Sequence, residues 1–401
     1  MKRIFSLFVA FAVMLSFCGC SKKLSDIVSD IEKLLPAGEE IVEVKYEEFS
    51  IQNPQFSSCY NELNGRQKDY YSRIYAISEE MTEGYIDLGE FYEGAVSDVS
   101  VAYNAFLYDK AEIFWMPNTY ILATAESGST KKLAIAFSCS DGDRQNEYNV
   151  SKSDRDAYRT ELNNTVNEVM AVVQTLTSEY EKEKYINDYI CENVSYDENA
   201  RLNNTAYGAL VLKAALCEGY ARGFKLLCNE AGIECDLIVG ESQNVGHMWN
   251  RVNIDRTHSY VDVTWNDRLE YKSYAYFNLT DEQIKETHDF APVLDDLTEQ
   301  EIADRATFNF TERECSFTGN TYYEQSGRML WLDYGKSAGE LIEQSATERQ
   351  TYTEFMFATV SAQQLFEADP VEYLSEIQSY LSSVTISGYS QERDVLILLF
   401  E

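Results

Sequence analysis

The amino-acid sequence predicts an α+β fold, and three observations carry that prediction. Leu216-Cys217-Glu218-Gly219 opens a helical pattern with Tyr220, Ala221, Phe224, Leu227 and Cys228 on one face, stopped by Ala231-Gly232. Three strand-like runs follow at once, residues 234–240, 248–254 and 259–265, the order expected of a helix laid on an antiparallel sheet. On both sides helical and strand patterns mix without a regular alternation, so a mixed α/β extension precedes this core and a small α+β domain follows it.

Upstream, residues 25–35 place Ile27, Val28, Ile31, Leu34 and Leu35 at helical spacing before Pro36 and Gly38 end the pattern. Residues 41–47 alternate, with Val42, Val44 and Tyr46 on one face and Glu43, Lys45 and Glu47 on the other, which predicts a half-buried strand. Residues 66–80 and 96–108 predict helices; 120–124 and 132–137 predict strands that end at Asp141-Gly142-Asp143. Residues 153–194 predict one or two long helices divided near Thr177-Ser178, where Ser178 and Glu181 have the spacing of a capping box. Asn204, Thr205 and Gly208 break the pattern before Ala209. In the tail, residues 329–332, 355–360 and 395–400 predict strands and 338–344 and 370–381 predict helices. The resulting division is 1–19 as a targeting segment, 20–150 as a tether and α+β region, 151–290 as the core, and 291–401 as a C-terminal domain of unknown role.

The N-terminus reads as a leader. Lys2 and Arg3 precede an apolar run from Ile4 to Phe17, too short for a comfortable membrane span. Phe17-Cys18-Gly19-Cys20-Ser21 resembles the lipobox of bacterial lipoproteins, with Phe17 where Leu is usual. That resemblance implies cleavage before Cys20, lipidation of Cys20 and a location on the outer face of the cell membrane. Loss of residues 1–19 removes two positive charges and takes the formal net charge from −34 to −36. So acidic a chain repels nucleic acid, which is excluded as a partner. The 45% hydrophobic fraction and 29 tyrosines nonetheless supply a substantial core. Cys18 and Cys20 aside, seven of the nine cysteines remain, an odd number that leaves at least one thiol unpaired within the chain. No CxxC with nearby histidines calls for structural zinc, and no metal or cofactor is implied.

Cys217, His247 and Asp262 are the residues on which chemistry is expected. A cysteine at the start of a helix receives the helix dipole, which favours the thiolate. His247, in Gly246-His247-Met248-Trp249, is placed to take the thiol proton and return it to a leaving amine. Asp262, in Val261-Asp262-Val263-Thr264-Trp265, is placed to hold the imidazole tautomer. The backbone N–H of Cys217 offers one oxyanion donor, and Gly219 and Gly246 leave room beside the reactive groups. Taken singly, each residue reads as a buried thiol, a core histidine or a strand-end carboxylate. Their order and spacing together favour catalysis. His258, in a polar turn, is expected to be solvated, and His288 to lie at the surface or in domain packing.

Thr205-Ala206-Tyr207-Gly208-Ala209-Leu210, Cys217-Glu218-Gly219-Tyr220-Ala221, Ala231-Gly232-Ile233, Gly246-His247-Met248-Trp249-Asn250 and Val261-Asp262-Val263-Thr264-Trp265 resemble, in that order, motifs of the bacterial transglutaminase-like superfamily. Tyr276-Phe277-Asn278-Leu279 followed by Thr287-His288, and Tyr108-Asp109-Lys110-Ala111 upstream, resemble its cytokinesis-associated branch. The resemblance covers about residues 100–290 and implies a papain-like core with Cys217, His247 and Asp262 as the triad. It also implies positions near the cleft for Tyr207 and Trp249, as substrate contacts or oxyanion support, while Met248 stands where a small residue is usual. The expected function is a surface-anchored cysteine hydrolase of peptide or amide bonds in a peptide or protein substrate. A transamidase with the same triad and a non-catalytic surface binding module are the alternatives.

Overall fold

The computed structural model describes residues 40–44, 46, 56–127, 130–137, 148–268, 271–304 and 307–401. The expected leader 1–19, Cys20, the helix at 25–35 and the turn at 141–143 lie outside them.

The first layer is built from β1 (Ile41–Val42), α1 (Ser58–Glu62), α2 (Gly65–Glu80), β2 (Tyr85–Glu90), α3 (Ala95–Asp109), β3 (Tyr120–Ser127) and β4 (Thr130–Phe137). Its sheet runs β1-β2-β4-β3, with only β1 parallel to its neighbour. Of the strand expected over 41–47, β1 holds Ile41 and Val42, and residues 45 and 47 lie outside the described residues. Asn64 and Gln67 close a capping box on α2. Helix α3 is apolar almost all round and correspondingly buried, from Ala95 through Val99, Val101, Ala102 and Phe106.

Two long helices follow, α4 (Lys152–Val173) and α5 (Glu179–Asn193), with the Ser178–Glu181 capping box formed. Next come β5 (Ser195–Tyr196), α6 (Ala206–Leu210), β6 (Ala214–Ala215), α7 (Cys217–Glu230), β7 (Glu234–Ser242), β8 (Val245–Ile254), β9 (Thr257–Val261), α8 (Val263–Asn266), β10 (Phe277–Leu279), α9 (Asp281–Ile284) and β11 (His288–Phe290). Gly208 lies inside α6 instead of breaking it, because Thr205 caps that helix through the Gly208 N–H. The central sheet is antiparallel in the order β10-β9-β8-β7-β11. Helix α7 packs on β7 and β8. Asn250 Nδ2 ties it down by donating to Ala221 O at 3.0 Å, and Lys225 donates to Cys235 O. This is the α+β, papain-like arrangement of a cysteine-bearing helix on an antiparallel sheet.

The tail comprises α10 (Glu299–Asp304), α11 (Tyr322–Ser326), β12 (Met329–Leu330), α12 (Gly335–Thr347), β13 (Tyr352–Phe357), α13 (Val360–Ala368), α14 (Pro370–Gln378), β14 (Ile386–Glu392) and β15 (Val395–Phe400). Its sheet, β12-β13-β15-β14, encloses a core of its own around Ile342, Phe355, Phe366, Tyr373, Leu396 and Leu398. The main core takes in residues from Cys59 to Tyr323 and, from the C-terminal sheet, Met356, Val395 and Ile397. No helix of the described residues is long and apolar enough to cross a membrane.

Candidate active site

The β8–β9 ladder ends at the pair Asn250↔Val261, so β8 continues past β9 and carries His247 over the turn that begins at Asp262. That turn corrects the expected strand over 259–265. Asp262 Oδ1 accepts from the N–H groups of Thr264 (3.0 Å) and Trp265 (3.1 Å), which makes Asp262 the N-cap of α8. The other carboxylate oxygen, Oδ2, lies 2.6 Å from His247 Nε2. With Nε2 taken, Nδ1 is the ring nitrogen left for Cys217, which lies close enough to help raise the His247 pKa. Cys217 is the first residue of α7, so its N–H is one of the amides a helix leaves without an internal partner. Leu216, at the N-cap, provides no side-chain cap to those amides.

The three side chains are buried: Cys217 and His247 are 4% and 3% exposed, and Asp262 is 0% exposed. Burial alone pushes the His247 pKa down. The Asp262 charge, the hydrogen bond to it and the contact with Cys217 outweigh burial and raise the value from 6.5 to about 10. Burial alone would raise Asp262; the His247 charge and hydrogen bonds from two histidines hold it well below the usual carboxylate range.

The second of those histidines is His288, expected at the surface or in domain packing. The structure corrects this: its side chain is fully buried, and its Nε2 lies 3.1 Å from Asp262 Oδ2. The signal was present in Thr287-His288 following Tyr276-Phe277-Asn278-Leu279, but the strand β11 that delivers the ring is only three residues long. His258 lies on β9, half-buried rather than solvated, and burial followed by Arg251 keeps its pKa below the usual value.

Trp249 sits two residues from His247 on the same face of β8, stacked on His247 at 6.0 Å and edge-on to His288 at 4.8 Å. Its Nε1 is buried without a partner. The Tyr207 hydroxyl donates to Glu161 Oε2 at 2.5 Å and its ring packs on Tyr158 and Phe114, contacts that join α6 to α4. Gly219 does not leave room beside Cys217: a Cβ there would lie 2.3 Å from Asn203 O, so the glycine admits the 202–203 turn against α7.

Outside His288 a cleft of roughly 280 Å³ is lined by Gln243, Trp265, Lys285, Glu286, Thr287 and Asp289. A larger cavity, roughly 570 Å³, lies between α5 and the C-terminal sheet, and none of Cys217, His247 and Asp262 lines it. His247, Asp262 and His288 also form the one group among the described residues with the donor set of a metal site. Both ring nitrogens, however, already address one carboxylate oxygen at hydrogen-bond lengths. Cys59, Cys191, Cys217, Cys228, Cys235 and Cys315 are free thiols.

Residues 167–267 match the family model of the transglutaminase-like superfamily. Kyphoscoliosis peptidase of Mus musculus is 26% identical over 136 residues, a match covering 29% of this chain and 21% of that protein. Its Homo sapiens counterpart is 27% identical over 118 residues, covering 25% and 18%. The chain thus spans about a fifth of the length of these relatives. A putative cysteine protease from Cytophaga hutchinsonii superposes with a TM-score of 0.24 at 19% identity, over 26% of this chain and 37% of that one. Over residues 167–267, this chain carries a domain of the transglutaminase-like superfamily.

Proposed function

We propose that the chain is a cysteine hydrolase of peptide or amide bonds. The single observation that carries the reading is the placement of His247 between the Cys217 thiol and the buried Asp262 carboxylate. In the proposed cycle the Cys217 thiolate attacks the carbonyl carbon and the carbonyl oxygen takes the negative charge. The Cys217 N–H stabilises that oxyanion. Collapse breaks the C–N bond, the His247 imidazolium gives its proton to the leaving amine, and a thioester remains. Water, deprotonated by His247, then attacks the thioester carbonyl, breaks the C–S bond and releases the acid. Asp262 stabilises the imidazolium and fixes its tautomer throughout.

The reading includes a lipid anchor on Cys20 at the outer face of a membrane, supported by Lys2-Arg3, the apolar run and Gly19-Cys20-Ser21. The substrate is then a peptide or protein at the cell surface.

The test is the rate of Cys217 alkylation by iodoacetamide against pH in the full-length protein, read by peptide mass spectrometry. Fast labelling well below the ordinary thiol pKa of about 8.5, lost in His247→Ala, is the expected result. Labelling that follows an ordinary thiol profile in both proteins overturns the reading in favour of a binding module. A peptide library with and without an added primary amine then separates the chemistries. Release of free acid supports the hydrolase, and amine incorporation replaces it with a transamidase.

A further inference from the structure

Asp262 serves two histidines, and the proposed cycle uses one. We infer that His288 is a positioning residue of the site: it donates Nε2–H to Asp262 Oδ2, occupies the last acceptor position of that carboxylate, and tempers its hold on the His247 imidazolium. The inference rests on the cysteine-hydrolase reading for its catalytic meaning.

The acceptor count leads to it. An ionised carboxylate has about four lone-pair positions. In Asp262, Oδ1 takes the N–H groups of Thr264 and Trp265, and Oδ2 takes His247 at 2.6 Å and His288 at 3.1 Å. All four are filled on a group with no exposure to water. His288 is itself held in place. Its strand β11 pairs with β7 in the register His288↔Ser242, and Ser242 Oγ donates to Thr287 O at 2.8 Å. Thr287 Oγ1 lies 2.9 Å from His288 Nδ1; a hydroxyl donating there leaves the proton on Nε2, the tautomer that donates to Asp262. A histidine present only to fill space has no need of this second bond.

The ionisable groups around the pair are Cys217 from α7, Tyr196 from β5, His247 from β8, His288 from β11 and Tyr276, whose ring lies 5.8 Å from that of His288. Lys285, Glu286 and Asp289 border the cleft outside. Within this set, removing the His288 donor concentrates negative charge on the oxygen that faces His247. The imidazolium then holds its proton to higher pH and becomes a poorer acid toward the leaving amine. The direction is the same whether His288 is neutral or protonated.

The chain has three histidines, so their ring resonances can be followed individually by NMR in the full-length protein from about pH 5 to about 11. In His288→Ala the His247 midpoint is expected to rise by about one pH unit, the scale of one hydrogen bond to a charged group. His258 should not move. His288→Gln, whose amide N–H reaches the same place, should restore the wild-type midpoint. An unchanged or lowered His247 midpoint in His288→Ala overturns the inference. Where that variant fails to fold, the comparison passes to His288→Asn, whose shorter amide stops short of Asp262. A raised midpoint there supports the inference and an unchanged one overturns it. Alkylation of wild-type Cys217 by iodoacetamide keeps the two proposals apart. An unactivated thiol with a His247 midpoint that still responds to His288 removes the hydrolase reading and leaves the shared carboxylate standing. An activated thiol with an unresponsive His247 does the reverse.

Discussion

At the scale of single residues, the His247–Asp262 pair links chemistry to stability. His247 has a folded pKa of about 10 against 6.5, so it binds its proton more tightly in the folded state. Its contribution is complete below about pH 6.5 and is lost as pH rises through about 10. Thermal melts of the wild type and His247→Gln should therefore converge between these limits, the wild type losing its advantage as the pH climbs. Asp262 behaves oppositely: its depressed pKa contributes stability above about pH 3.9 that disappears as the pH falls through the folded value. In Asp262→Asn the charge is gone and the tautomer is no longer held. Peptide hydrolysis should fall by roughly 10³- to 10⁴-fold in kcat, with the far-ultraviolet circular dichroism spectrum retained. Sequence order was enough to name Cys217, His247 and Asp262. It did not reveal that Asp262 accepts from a second histidine, since two residues 26 positions apart meet only through strand pairing.

At the scale of elements, α7 and β11 position the site. The first turn of α7 has no side-chain cap, so its amides remain available to an anion beside Cys217. Leu216→Ser should add a cap worth about 0.5–1 kcal/mol and raise Tm, yet shift Cys217 alkylation to higher pH, because the serine oxygen competes for the same amides. A change that stabilises the fold and slows the thiol together is the diagnostic result. Gly240 has a different duty. A Cβ at that position would lie 2.0 Å from Asp289 O and 2.8 Å from Trp249 Cη2, so only glycine lets β11 close against β7. Gly240→Ala should cost about 1–3 kcal/mol in chemical denaturation and loosen His288. Element legibility followed apolar pattern strength. Helix α7 and strands β7 and β8 were readable, whereas β14, with the sequence Ile-Ser-Gly-Tyr-Ser-Gln-Glu and most of its residues exposed or half-exposed, was not. Helix α13 was missed because Val360 extends the apolar run of β13, and only the Thr359 cap separates the two elements.

At the scale of the whole molecule, the chain buries acids it cannot fully pair. Burial pushes Glu183 up to about 8 and Glu354 up to about 7, against hydrogen bonds from Asn278 in the first case and from Ser273 and Tyr274 in the second. An acid whose folded pKa is raised favours the folded state when protonated, so these groups lower stability as pH rises from about 4.3 toward their folded values. Unfolding free energy should therefore decline between about pH 5 and about pH 8. Glu183→Gln, isosteric with the protonated acid, should flatten that decline when Tm is measured across the same interval. Glu354 also fastens the C-terminal sheet to the core through Ser273 Oγ and the Tyr274 N–H, and Arg268 pairs with Glu392 beside it. Apolar faces of segments on either side of residues 150 and 290 pack into one cluster, which also takes in Met356, Val395 and Ile397 from the C-terminal sheet.

Sequence by itself determined the α+β class, the helix that begins at Cys217, the strands that carry the histidine, and the acidity of the chain. Those properties are local: periodicity, caps and charge are set by residues near one another in the chain. Tertiary structure alone decided that Asp262 caps a helix instead of ending a strand, that Tyr207 packs on α4, and that His288 reaches Asp262. The last depends on which surface a side chain meets after β7, β8 and β11 pair, and register between distant strands is a long-range contact with no signature in the spacing of the sequence.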